Sequence, residues 1–188
     1  MSEGKLIILS APSGTGKTSV CKELLNRNKK WKFSISATTR DLRDGEKDGV
    51  DYILMSNEKF EHNVKFGDFL EWEWVHGNKY GTPIGPLENV LDSGRIMLLD
   101  IDVKGGISVM EEFPDETIGI FIEPPGDDQP EQLEALEERL NKRGYEPPQL
   151  IVKRLKRFPL EIEYKEKFMF HFVNEELDET IKDIEKVI

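Results

Sequence analysis

A single cysteine, Cys21, stands among 188 residues, which excludes an internal disulfide framework and any four-cysteine metal site. No apolar run approaches the roughly 20 residues needed to span a bilayer. The opening stretch MSEGKLIILSAPSG is too short in its apolar part, and too acidic at its start, to read as a secretory signal. Positive charge is in deficit, since 26 Lys and Arg against 37 Asp and Glu give 26 − 37 = −11. So acidic a chain is a poor general binder of nucleic acid or of an anionic membrane, because both require a positive surface. Aromatic residues make up 9%, and the tryptophans Trp31, Trp72 and Trp74 form no stacking strip of the kind that holds single strands. The three histidines, His62, His76 and His171, have no metal-ligand spacing. Apolar runs nonetheless recur along the whole length, so the expectation is one folded cytoplasmic domain with a buried core.

Three buried apolar runs, Lys5 to Ser10, Ile96 to Leu99 and Ile118 to Ile122, together with Lys32 to Ser36, where Phe33 and Ile35 alternate with polar residues, and a last strand Phe168 to Val173, alternate with segments of helical spacing. Buried strands alternating with helices imply an α/β fold with a parallel five-stranded sheet covered by helices on both faces. Two stretches break the alternation. Residues 36–82 are richer in polar alternation and read as an inserted mixed-sheet subdomain. Residues 124–159 read as a charged helical excursion, with a helix from Glu131 to Lys142 and a basic one after Pro147 and Pro148. The core is then 1–35, 83–123 and 160–188. Cys21, one turn into the first helix, is expected to face that core.

The sharpest motif is Ala11-Pro12-Ser13-Gly14-Thr15-Gly16-Lys17-Thr18, set between the first strand and the first helix. It matches the phosphate-binding pattern of glycine, four residues, glycine, lysine and a hydroxyl residue, except that Ala11 replaces the first glycine. Gly14 and Gly16 permit backbone conformations in which the N–H groups of Ser13 to Gly16 encircle a phosphate. The helix N-terminus adds its positive dipole end. Lys17 can reach the β- and γ-phosphates of a nucleoside triphosphate, and the Thr18 hydroxyl can take a Mg²⁺ position. The matching carboxylate is Asp100, closing the run Leu98-Leu99-Asp100, unless that residue serves to begin the following helix.

The loop between Thr38 and Asp51 is nearly free of apolar residues and carries Arg40 and Arg43 beside Tyr52; Tyr80 follows a turn at His76-Gly77-Asn78. Two arginines and two tyrosines suit a second phosphate, since arginine offers paired N–H donors and tyrosine a single one; a solvated charged loop is the plainer alternative. Glu71 lies mid-strand among Phe69, Leu70 and Trp72. A carboxylate in a cleft there can accept the N1–H and N2–H₂ rim of guanine, which adenine lacks; an outward strand glutamate is the alternative, because Glu73 shares its face.

Taken together, these segments resemble the guanylate kinases. Ala11 to Thr18, Ser34-Ile-Ser-Ala-Thr-Thr-Arg40, Arg43-Asp-Gly-Glu46, Gly49-Val-Asp-Tyr52, Phe69-Leu-Glu-Trp72, Tyr80-Gly-Thr82 and Leu99-Asp-Ile-Asp102 run in that family's order. The likeness continues through Pro124-Pro125, Arg139-Leu140, Arg143-Gly144, Arg154-Leu155 and Val173-Asn174. The resemblance implies a P-loop nucleoside-monophosphate kinase fold, with a GMP-binding subdomain at 36–82 and a mobile lid at 124–159. It implies transfer of the γ-phosphoryl group of ATP to GMP or dGMP with Mg²⁺. By motif, Arg40, Arg43, Tyr52 and Tyr80 would hold the monophosphate; Ser36, Glu71 and Thr82 would read guanine, with Asp102 nearby. Asp100 would serve the metal, Arg139, Arg143 and Arg154 would neutralise the transferring group, and Asn174 would line the adenine pocket. Two other readings stay open: an interaction module of this family without catalysis, and a P-loop kinase of another deoxynucleotide or a phosphorylated sugar. The motifs are compatible with a monomer or a homodimer.

Four departures bear on the carry-over. Leu42 stands where a proline usually precedes Arg43, and Lys104 replaces a usual glutamine. The stretch Gly126-Asp-Asp-Gln-Pro130 is longer than usual, and Pro159 interrupts the helix expected after Arg154. They bear on rate and closure more than on reaction type.

Overall fold

Leu6, Ile7, Ile8 and Leu9 are each 0% exposed. Burying such side chains contributes roughly 1.5–3 kcal/mol apiece, so the first strand, β1 (Lys5–Ser10), holds a central place without polar alternation. The computed structural model describes residues 4–43, 45–75, 77–144 and 147–188. In it β1 is the middle strand of a parallel five-stranded sheet with helices. The strand order is β2 (Lys32–Phe33), β7 (Ile96–Asp100), β1, β8 (Thr117–Glu123) and β9 (Phe170–Val173). A second, mixed sheet has the order β4 (Ile53–Leu54), β3 (Ala37–Thr38), β6 (Asn78–Pro83), β5 (Phe69–Val75). Among the described residues no helix is long and apolar enough to cross a membrane.

By density of contacts the chain divides into two units: residues up to Leu6 with Lys30–Leu99 and Ser108–Thr117, and Ile7–Lys29 with Asp100–Ile107 and Ile118–Ile188.

In the first unit, helix α2 (Asn57–Phe66) is started by Ser56, whose hydroxyl accepts the Lys59 N–H at 3.2 Å, and stopped by Gly67 at φ 74°. Phe60 of α2 is fully buried with Ala37, Met55 and Phe69, and stacks on the Phe69 ring at 4.5 Å. The sheet therefore has an α2 side and an opposite side. A register shift between Phe69 and Glu71 changes which residues face which way. Phe69 and Trp72 both meet Phe60, while Glu71 stands opposite Thr82 and Glu73 opposite Tyr80. Simple alternation would have put Phe69 and Glu71 on one side. The bulge separates them, and frees Glu71 from the apolar layer. The expected strand Lys32 to Ser36 is cut short at Phe33, because Ser34 onward leaves the core sheet for the mixed one.

In the second unit, α1 (Lys17–Arg27) buries Val20, Cys21 and Leu24, so Cys21 is a core residue as expected. Helix α1 packs against α8 (Leu177–Ile184), which buries Ile181 and Ile184. Arg27 joins the two helices, with Asp178 at 2.6 Å and Glu185 at 3.5 Å. Helix α5 (Gln129–Arg143) starts two residues earlier than its periodicity suggests, because Asp128 caps it and Pro130 is tolerated in the first turn. The basic segment forms two helices, α6 (Pro148–Leu155) and α7 (Phe158–Ile162). Pro159 sits in the first turn of α7, so it opens that helix rather than merely breaking its predecessor. Helix α3 (Ile84–Asp92) belongs to the first unit, and α4 (Val103–Glu112) takes residues from both.

Candidate active site

The chain leaves β1 at Ser10 and turns through residues 11–16 before α1 begins at Lys17. Gly14 and Gly16 both have φ 99°, a left-handed conformation that side chains oppose. At Gly16 space is also short: a Cβ would stand 2.6 Å from Asn174 Nδ2. Above Gly14 lies α5, whose Leu140 would be 3.1 Å from a Cβ there. Thr15 is buried, its N–H and hydroxyl both donating to the Pro12 carbonyl, at 3.2 and 2.7 Å.

Lys17 points its ammonium at the end of β7. Nζ lies 2.8 Å from Asp100 Oδ1 and donates to the Ile101 carbonyl at 2.5 Å. Burial pulls its pKa down, but the Asp100 carboxylate outweighs that and holds it above the usual lysine value. The Thr18 hydroxyl donates to the other Asp100 oxygen at 3.4 Å. Thr18 is exposed and Asp100 half-buried. Two oxygen donors of this kind fit Mg²⁺, which takes one or two protein oxygens and completes its shell with water and phosphate. Of the two acids in Asp100-Ile-Asp102, it is Asp102 that starts the helix: its Oδ1 accepts the Gly105 N–H at 2.9 Å at the head of α4.

Two arginines from the charged helical segment reach the loop. Arg154 donates to Ser13 Oγ at 3.2 Å. Arg139 donates to the Thr15 carbonyl at 3.1 Å and the Asn174 carbonyl at 2.8 Å. Arg143 ends α5, but its side chain lies outside the described residues, as do His76 and Asp44 of the motifs above. Asn174 is 6% exposed and gives its Nδ2 to the Thr15 carbonyl at 2.7 Å. It also borders, with Gly14, Gly16, Ser19 and Leu177, an open cleft beside the loop.

One functional-site neighbour was not foreseen. Glu161 of α7, 9% exposed, accepts the Ser13 N–H at 3.4 Å and lies 3.3 Å from Arg157. Burial pushes its pKa up, against Arg157 and the Ser13 N–H, and the net shift is upward. In sequence it is one acid within Leu160-Glu-Ile-Glu-Tyr164, and only the i, i+4 spacing from Arg157 hints at a role.

The first unit carries a second polar cluster. Arg40, its side chain 15% exposed, donates to the Tyr80 hydroxyl at 3.0 Å and lies over the Tyr52 ring at 5.2 Å. Its terminal nitrogen meets both Glu46 oxygens, at 3.1 and 2.8 Å. Glu46 also accepts the Arg43 N–H at 2.8 Å. Burial would raise the Glu46 pKa, but the Arg43 N–H and the Arg40 guanidinium overcome it and hold the carboxyl below the usual range. Arg43 itself is exposed and Leu42 half-buried. On the sheet side opposite α2, the Thr82 hydroxyl donates to Glu71 at 2.5 Å. Ser36, half-buried, precedes β3; alternation puts it on the same side as Thr38, which pairs with Tyr80. Arg40, Tyr52 and Tyr80 are thus one group, and Glu71 with Thr82 another on the strand pair β5–β6 that also bears Tyr80.

Comparison with known proteins agrees along the whole chain. The guanylate kinase family profile matches residues 3–188. Guanylate kinase of Clostridium tetani is 43% identical over 188 residues, all of this chain and 86% of that one. Guanylate kinase of Prochlorococcus marinus is 43% identical over 184 residues, 98% of this chain and 96% of its own. The crystal structure of guanylate kinase from Anaplasma phagocytophilum superposes with a TM-score of 0.77 at 33% identity, covering 100% of this chain and 85% of that one. The phosphate loop, the paired arginine and tyrosines, and the full-length match together make this chain a member of the guanylate kinase family.

Proposed function

We propose that this protein transfers the γ-phosphoryl group of ATP to the phosphate of GMP or dGMP, yielding ADP and the nucleoside diphosphate. The observation that carries the choice of acceptor is the Glu71–Thr82 contact on the strand pair that also bears Tyr80. A carboxylate there accepts two N–H bonds from the guanine rim, whereas adenine turns a lone pair toward it. Ser36 and Thr82 supply further polar contacts to the base. Arg40 and Arg43, with the Tyr52 and Tyr80 hydroxyls, bind the acceptor phosphate. The Asp102 carboxylate, as the cap of α4, acts by holding the chain that follows Asp100.

On the donor side, the N–H groups from Ser13 to Gly16 and the Lys17 ammonium cradle the triphosphate. Asn174 borders the cleft that takes the adenine. Thr18 and Asp100 hold Mg²⁺, which when bound neutralises charge on the phosphate oxygens. An oxygen of the acceptor phosphate forms a bond to the γ-phosphorus as the bond from that phosphorus to the β–γ bridging oxygen breaks, and ADP leaves. The attacking oxygen is already ionised, so no side chain has to remove a proton. Alignment and charge stabilisation carry the rate. Arg139, Arg143 and Arg154 supply that charge from residues 124–159, which serve as a lid excluding water. A cytoplasmic enzyme with no attraction to nucleic acid or membrane fits the acidic balance of the chain.

The test is ADP formation from ATP with each nucleoside monophosphate in turn. The expected result is turnover with GMP and dGMP and little with AMP, CMP or UMP. Equal use of AMP would overturn the guanine assignment, and nucleotide binding without turnover would favour a non-catalytic interaction module.

A further inference from the structure

The Thr15 carbonyl is gripped from two directions, by Asn174 Nδ2 at 2.7 Å and by Arg139 at 3.1 Å. In a trans peptide the C=O and the next N–H point in opposite directions. Fixing the Thr15 oxygen therefore fixes the direction of the Gly16 N–H, one of the donors that a bound phosphate would use. The grip depends on the Asn174 amide facing the loop with its nitrogen, because a carbonyl can only accept. Its Oδ1 then faces the other way and needs a donor.

Thr180 supplies it. This residue of α8 is 4% exposed, and its hydroxyl lies 3.2 Å from Asn174 Oδ1. The same hydroxyl is within reach of the Glu176 carbonyl at 3.1 Å and the Val173 carbonyl at 3.3 Å. It has one hydrogen for three acceptors. The Glu176 carbonyl already accepts the Thr180 N–H at 3.0 Å, whereas a buried amide oxygen left without a donor is costly. The hydrogen is worth most on Asn174.

We propose that Thr180 is a positioning residue for phosphate binding: through the Asn174 amide it aims the Gly16 N–H of the phosphate loop. The proposal rests on reading residues 11–18 as the triphosphate site. It gives Asn174 a task at the loop backbone beyond lining the adenine cleft, and it gives α8, remote in sequence from the loop, a part in donor binding.

The experiment measures calorimetric binding of ATP and of inorganic tripolyphosphate, which has no base, to the full chain and to Thr180→Val and Thr180→Ser. Valine keeps the shape and removes the donor; serine keeps the donor. Thr180→Val is expected to weaken both ligands by the same factor, about fivefold for one hydrogen bond, with KM for GMP unchanged and Thr180→Ser restoring both. Unchanged tripolyphosphate binding in Thr180→Val overturns the proposal, as does weakening of ATP alone, which would assign Asn174 to the base only. If Thr180→Val does not fold, Thr180→Ser and Asn174→Ala decide: the first must bind tripolyphosphate as the wild type does and the second more weakly, and any other pattern overturns the proposal. Failure of the wild type to bind tripolyphosphate overturns the phosphate-loop reading itself. Normal binding without GMP phosphorylation overturns the kinase reading and leaves the positioning role intact.

Discussion

The Thr82 hydroxyl donates to the Glu71 carboxylate at 2.5 Å across a directly opposed strand pair. Thr82 is 2% exposed, so the contact ties the carboxylate to a buried, fixed hydroxyl. Glu71→Gln replaces one acceptor oxygen with an amide donor aimed at the donors of guanine. The expected result is a fall of about 10²-fold in kcat/KM for GMP, with a near-unchanged thermal midpoint. Unfolding without loss of guanine preference would make Glu71 a structural residue.

Lys17 and Thr18 share Asp100, one on each carboxylate oxygen. Lys17→Ala is expected to lower turnover by at least about 10³-fold, since transition-state charge at the phosphates loses the ammonium of the loop. Retained turnover would take the loop out of the chemistry. Asp100→Asn is expected to raise the Mg²⁺ concentration needed for half-maximal rate, and an unshifted Mg²⁺ titration would remove Asp100 from the metal environment.

Glu46 titrates below the ordinary glutamate range in the folded protein, held there by the Arg43 N–H and by Arg40 against the effect of burial. Its stabilising contribution is present above the unfolded-state value and is lost as pH falls through the folded one. The wild type should therefore lose thermal stability through that acid window more steeply than Glu46→Gln. Parallel melting curves against pH would refute this.

Glu161 shows the opposite sign. Burial outweighs Arg157 and the Ser13 N–H and raises its pKa, so the folded state favours the proton. Relative to higher pH, stability is fully present below the unfolded glutamate value and declines as pH rises through the folded one. Glu161→Gln should melt like the wild type in acid and above it near neutrality. A variant less stable than the wild type at neutral pH would show that the ionised contacts with Arg157 and Ser13 prevail.

The phosphate loop, the alternation of strands and helices, and most of the arginine and tyrosine cluster were legible in the sequence because each is written in local patterns; Tyr80, 40 positions from Arg40, is brought in by the pairing of β3 with β6. Ala11 to Thr18 contains its own glycines, lysine and hydroxyl. Arg40, Glu46 and Tyr52 are near neighbours along the chain, so a short loop suffices to gather them. Lys32 to Ser36 read longer than it is, because its pattern does not show where the chain passes from one sheet to the next.

What the sequence by itself determined is the chemistry on offer: a loop whose Gly14 and Gly16 permit backbone conformations that side chains oppose, a cation beside it, and an acid closing a buried strand. Only the tertiary structure decided which distant groups complete it. Asn174 meets Thr15 across 159 positions and Glu161 meets Ser13 across 148, and a bulge in β5 decides which side of the sheet Glu71 takes. The physical reason is that backbone geometry and local hydrogen bonding act over a few residues. Contacts between remote segments depend instead on how whole helices and strands pack, which no short run of residues encodes.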